Sequence, residues 1–211
     1  STAAAIEHPQ QTIMHNPRYN SVIEQEGQVL ETLVGICDGR SVTVSSGTYT
    51  LPDATRTSVY VETLPHDGIG IKDPDSEITY KAPAGTERII IKYTGQYNKV
   101  DDNGIIEVQL YVDGAPLPSL NTGFNEGYHR ERSRNAMMGP LTFTAIVTSQ
   151  HINLQVSHTY HFQARSSSST HRVAIARDPS PADKDWIWPH LEIQAIGRKS
   201  DTTFLNSFFN E

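Results

Sequence analysis

Cysteine is nearly missing from this chain. Cys37 stands alone among 211 residues, so one copy can form neither an internal disulfide nor a thiolate metal cluster. Asn-x-Ser/Thr triplets are missing altogether. Both facts suit a protein made and assembled in a reducing cell interior. Long apolar runs are also lacking: stretches such as residues 89–91 and 141–147 fall far below the roughly 20 residues of a membrane helix, so no segment is expected to cross a bilayer. Residues 1–26 carry glutamates and prolines but no cationic stretch leading into an apolar one, and no retained signal peptide is expected there. Basic charge is scarce: 17 Lys+Arg against 24 Asp+Glu leave a net charge of -7. Such a field does not favour phosphate backbones, so nucleic acid is not an expected partner.

What is present is enough to fold. The length fits one domain with arms, and although only 36% of residues are hydrophobic, Trp 2, Tyr 9 and Phe 6 are available to fill a core. Residues 105–113 alternate cleanly, with Ile106, Val108, Leu110 and Val112 on one face and Glu107, Gln109 and Asp113 on the other. The pair Asp113-Gly114 ends that strand with a tight turn, followed by Pro116 and Pro118. The same alternation recurs at 88–94 (Ile89, Ile91, Tyr93), 141–147 (Leu141, Phe143, Ala145, Val147), 152–165 (Leu154, Val156, His158, Tyr160, Phe162, Ala164), 171–177 (Val173, Ile175) and 191–195. Residues 41–49, 57–62 and 77–81 are shorter candidates. Eight to ten strands separated by turn signals predict an antiparallel sandwich or barrel, and the lack of alternating βα units argues against a parallel sheet.

The ends differ from the middle. Residues 1–26 read as an extended arm, residues 27–199 as the β-domain, and residues 200–211 as a short tail. Residues 22–37 suit either a helix or a first strand. Phe204, Leu205, Phe208 and Phe209 would form one stripe of a short helix, docked on its own domain or on a neighbouring subunit.

Chemistry is hard to find. Among nine histidines, only His158 and His161 are close enough to clasp an ion, but in a strand a separation of three sends them to opposite faces, so no metal site is expected. His158 falls on the apolar side, where a hydrogen-bonded histidine is the common case. Asp73, Asp75 and Glu77, or Asp101 and Asp102, offer oxygen ligands without the spacing of a calcium loop, and turn formation is the first reading. There is no Gly-x-Ser-x-Gly elbow and no phosphate loop. Cys37 has no cationic neighbour to activate it and reads as a small buried residue. No cofactor and no enzymatic activity are expected.

The densest charge feature is Tyr128, Arg130, Arg132 and Arg134, within a stretch at 114–139 that reads as irregular. A loop of that length is commonly functional; these residues suit a sulfated or sialylated glycan, a carboxylate surface or a subunit contact, against the plain alternative of a solvated or salt-bridged segment. Trp186 and Trp188 suit a sugar-stacking platform or, more plainly, core or interface anchors.

The segments GQVLETLVGICDGRSVTVSSGTYTL (27–51), YKAPAGTERIIIKY (80–93), EVQLYVDGAPL (107–117) and LEIQAIGR (191–198) together resemble the single jelly-roll, C1q/TNF-like structural proteins of marine and algal viruses and phages. The resemblance rests on strand-and-turn patterns over the middle two-thirds of the chain and carries no functional residue with it. It implies a homotrimeric jelly roll located in the virion, a capsid-associated, fibre or spike component with possible host attachment. Its partners would be its own copies, neighbouring virion proteins and host glycans. The arms depart from a compact head and suit a lattice component whose ends tie subunits together. The non-core aliphatics Ile90, Ile105 and Ile146 are candidates for the subunit interface.

Overall fold

The computed structural model describes residues 27–54, 60–66, 68–99, 104–120, 127–132, 137–170, 172–177 and 188–197. The arm at 1–26, the tail at 200–211, Arg134, Trp186, Asp101, Asp102 and the side chain of Arg132 lie outside what is described.

The described chain is all-β and antiparallel. Its strands are β1 (Gln28–Ile36), β2 (Ser41–Val44), β3 (Gly47–Thr50), β4 (Tyr60–Thr63), β5 (Ile71–Lys72), β6 (Ile78–Tyr80), β7 (Thr86–Lys99), β8 (Ile105–Val112), β9 (Ala115–Pro116), β10 (Tyr128–Arg132), β11 (Met137–Thr148), β12 (His158–Ser166), β13 (Val173–Arg177) and β14 (His190–Gly197). In the first sheet β1 pairs with β14, β14 with β7 and β7 with β11, while β13 and β4 extend the far half of β7. In the second, β10 pairs with β8, β8 with β12, and β12 with β5 and β6. If the β5–β6 segment is taken as one strand and the short β2–β3, β4, β9 and β13 additions are set aside, the principal strands in chain order lie as 1-8-3-6 and 2-7-4-5. That is the order of a jelly roll, in which the chain crosses repeatedly between two facing sheets.

Alternation explains the core. Ile89, Ile91 and Tyr93 of β7, Phe143, Ala145 and Val147 of β11, and Leu191, Ile193 and Ala195 of β14 face inward, and meet Ile106, Val108 and Leu110 of β8 and Tyr160, Phe162 and Ala164 of β12. Phe162 joins the layers, its ring centroid 6.1 Å from both Tyr93 and Phe143. Cys37 is fully buried. The Asp113-Gly114 pair makes the two-residue turn expected of it: both residues have positive φ (51° and 82°), and Val112 pairs with Ala115 across it.

Two buried carboxylates fasten the periphery to this core. Glu31 points inward from β1 and accepts from Ser45 Oγ (2.6 Å), Ser46 N (2.9 Å), Ser46 Oγ (2.6 Å) and Tyr80 Oη (2.6 Å), which holds the β2–β3 hairpin over the open side of the sandwich. Burial pushes the Glu31 carboxyl up, but these donors outweigh it and hold the group below its ordinary value. Asp73 heads a 3-10 turn at Pro74–Ser76 and accepts from Tyr97 Oη (2.7 Å), Tyr93 Oη (3.1 Å) and Asp75 N (3.1 Å). Turn formation is therefore what Asp73 and Asp75 do, while Glu77 points elsewhere and pairs with Lys72 at 2.9 Å.

One open expectation is decided and three need correction. The segment 22–37 left helix and strand open; from Gln28 to Ile36 it is a strand, because pairing with β14 satisfies its backbone despite Gly35. The long strand at 152–165 begins only at His158; residues before it form turns that bury Leu154 but leave Val156 exposed. The run at 41–49 is a hairpin that bends at Ser45-Ser46, where Glu31 captures both hydroxyls. The stretch at 114–139 is not an irregular loop, since it contains β9, β10 and the start of β11.

Candidate functional site

The Tyr128 to Arg132 segment is strand because it can complete the edge of the second sheet. It lies antiparallel to β8 with Tyr128 opposite Gln109 and Arg130 opposite Glu107. On the other side of β8, Arg165 stands opposite Glu107 and Gln163 opposite Gln109. Since Ile106 and Val108 face the core, Glu107 and Gln109 face out, and so do their cross-strand partners Arg130, Arg165, Tyr128 and Gln163. His129, the intervening residue of β10, turns the other way, its ring 5.3 Å from that of Phe143.

The result is a charged row across three strands, Arg130–Glu107–Arg165. Arg165 donates from Nε to Glu107 Oε2 at 2.6 Å and from Nη1 to the Gly68 carbonyl at 2.8 Å. Arg130 Nε lies 3.8 Å from Glu107 Oε1. The Glu107 side chain is only 12% exposed, whereas that of Arg130 is 54% exposed. The sheltered carboxylate thus orients Arg165 by a hydrogen bond and lies within ion-pair distance of Arg130. Tyr128 sits one row along β10 on the same face, half exposed, and its hydroxyl is pushed above its ordinary value by burial first and then by the neighbouring Glu107 charge. The loop that carries Gly68 brings the exposed side chain of Ile69 to the other side of the row, where its carbonyl accepts from Gln163 Nε2 at 3.2 Å.

The structure therefore brings Tyr128 and Arg130 together, with the backbone of Arg132 next along the same strand. Trp188 stands apart from them: it precedes β14 in the first sheet and is exposed, so it is not a core anchor. Glu107 and Arg165 are the members of the row that motif reading passed over. Each was visible as a polar residue on an alternating strand, but no local signal specifies the register that sets them side by side.

The two histidines go their separate ways. His158 Nδ1 lies 2.6 Å from Asp113 Oδ2 and its Nε2 lies 2.8 Å from the Asn153 carbonyl, while Asp113 also accepts from Thr159 N at 2.9 Å. Both ring nitrogens thus lie within hydrogen-bond distance of an oxygen. Hydrogen bonding to His158, and then to Thr159 N, holds the Asp113 carboxyl below its ordinary value. His161 stacks on Tyr111 at 5.3 Å and pairs with Gln163 at 2.9 Å. Among the described residues no three His, Cys, Asp or Glu side chains converge to hold a metal.

On the outer face of the first sheet, Thr32, Gln194, Ile90 and Ile146 form one cross-strand row, Val34, Glu192, Lys92 and Thr144 the next, and Ile36, His190, Thr94 and Thr142 a third. Val34 (53%), Ile146 (43%) and Ile36 (40%) are exposed. Ile90 and Ile146 are thus direct neighbours, whereas Ile105 lies on the second sheet opposite Arg132.

The sequence matches no protein-family model and no curated protein. Among solved structures it is similar to the crystal structure of the infectious bursal disease virus VP2 subviral particle, at 10% identity and a TM-score of 0.27 over 75% of this chain. It is also similar to the structure of the Gx strain of that virus, at 12% identity and a TM-score of 0.27 over 77% of this chain. This chain spans 42% of the length of each of those chains. A superposition that loose carries no argument about what the chain does.

Proposed function

We propose that the chain is a structural subunit of a virion, a jelly roll that associates with its own copies about a threefold axis and serves in a capsid, fibre or spike. The observation that carries this reading is the outer face of the first sheet. A jelly roll needs only its inner faces for its core, yet here Val34, Ile36 and Ile146 stand exposed on the outside, Ile146 beside Ile90, Val34 opposite Glu192 of the Lys92–Glu192 pair and Ile36 opposite His190. Aliphatic side chains gathered on one open sheet face suit a contact with another protein surface. The work of such a subunit is contact, with no bond made or broken.

Light scattering coupled to size exclusion tests the reading. A mass of three chains that holds on dilution supports it, and a monomer at the highest attainable concentration overturns it. A second reading, a carbohydrate-binding sandwich, is favoured by one specific observation, the outward row Arg130–Glu107–Arg165 beside Tyr128.

A further inference from the structure

We infer that this outward row is a binding site for a carboxylate-bearing sugar, with Arg130 as the residue that grips the acid group and Tyr128 as the surface on which the sugar ring lies. The inference rests on the carbohydrate-binding reading and makes it specific; it needs only one chain and stands apart from self-association.

The edges of the two guanidiniums are unequally occupied. Glu107 takes the Nε edge of Arg165 and faces the Nε edge of Arg130. Arg165 Nη1 is held by the Gly68 carbonyl. One sheltered carboxylate therefore holds the Nε edge of Arg165 by a hydrogen bond and attracts that of Arg130 by charge across 3.8 Å, while among the described residues the terminal N–H groups of Arg130 have no partner. Arg165, held on two edges, keeps the carboxylate in place, and the planar fork of Arg130 that the carboxylate attracts matches the two oxygens of a ligand carboxylate. The row carries two positive charges and one negative on a chain whose net charge is -7, so an acid group is attracted here against the sign of the molecule as a whole.

The flanks decide for a sugar over a bare acid. Tyr128 lies two residues before Arg130 on the same face of β10, about 7 Å along the strand, with its ring accessible. An accessible aromatic ring beside a hydrogen-bonding group suits a ligand with one apolar face and one polar edge, which describes a pyranose. Arg130 and Arg165 stand two strands apart, about 10 Å between backbones, and Ile69 borders the far side. That span accommodates one acidic ring with its substituents.

The test is an NMR titration of the full isotope-labelled chain with sodium glucuronate, with glucose, and with a short oligoglutamate as separate probes. Glucuronate should give saturable shifts at the Arg130 side chain and at Tyr128, with a Kd on the order of 1 mM. Arg130→Gln should weaken binding at least about tenfold, and Arg130→Lys should weaken it comparably because it keeps the charge but loses the fork. Both variants should keep the wild-type melting temperature, since Arg130 is exposed. Glucose binding as well as glucuronate would keep a sugar site and overturn the acid site proposed here. Oligoglutamate binding as well as glucuronate, unchanged binding by Arg130→Lys, or no saturable shift with any probe would each overturn it too, the last removing the carbohydrate reading with it.

Discussion

The outer faces of the two sheets are built by the same alternation and have opposite characters. On the first, four strands present aliphatic and hydroxyl side chains together with Gln194, His190 and the opposed pair Lys92 and Glu192. On the second, three strands present Arg130, Glu107 and Arg165 in direct register, with Tyr128 alongside. Exposed aliphatic side chains gain by being covered, whereas a guanidinium with unpaired N–H groups gains from a group that brings acceptors. The contrast sets an outer face rich in aliphatic side chains against one with a charged row, while a common core sets the position of both.

Removing that core should abolish both faces together. Phe162→Ala deletes the ring between Tyr93 and Phe143 and should cost about 3–5 kcal/mol, read as a large fall in the urea midpoint and as loss of both trimer and glucuronate signals. Next in size, Ile146→Lys should reduce the assembly to monomers in light scattering, with the melting temperature little changed, because the residue is exposed within the chain; Arg130→Gln should leave the mass untouched. Glu107→Gln should cost about 1–3 kcal/mol, since it withdraws a sheltered charge from two arginines, whereas Glu192→Gln on the first face should stay within about 0.5 kcal/mol. Denaturant titration of the two variants side by side would measure that difference.

The smallest effect is one of pH. The Glu31 carboxyl is held below its ordinary value of 4.5 in the folded chain. The stability it adds is therefore fully present above pH 4.5 and is lost as the pH falls through its lower folded value. Melting temperature plotted against pH should drop on that acid limb, and Glu31→Gln should flatten the drop. Asp113 has the same sign, but it is largely exposed and should add little.

Much of the architecture could be read from residue order alone. The alternation at 105–113 specified both the strand and its inner face, because a period of two leaves no choice of side once Ile106, Val108 and Leu110 must be buried. Asp113-Gly114 announced its own turn. Less legible were the edges. The β10 segment reads as a charged loop because its inward residue, His129, is polar and the strand is short; it becomes a strand only when β8 supplies hydrogen bonds to its backbone. Likewise 152–157 imitates a strand by alternation, but Asn153 and Gln155 hydrogen-bond locally and turn the chain there.

Half of the candidate site was legible for the same reason. Tyr128 and Arg130 stand out as a dense patch of charge and ring, and their spacing of two places them on one face of whatever strand they form. Glu107 lies 23 positions before Arg130 and Arg165 lies 35 after it, and neither belongs to a motif. Local chemistry fixed which side of each strand is wet, since alternation depends only on neighbouring residues. Which wet residues stand together was decided by the packing of strands far apart in the chain, because cross-strand register is a property of the assembled sheet.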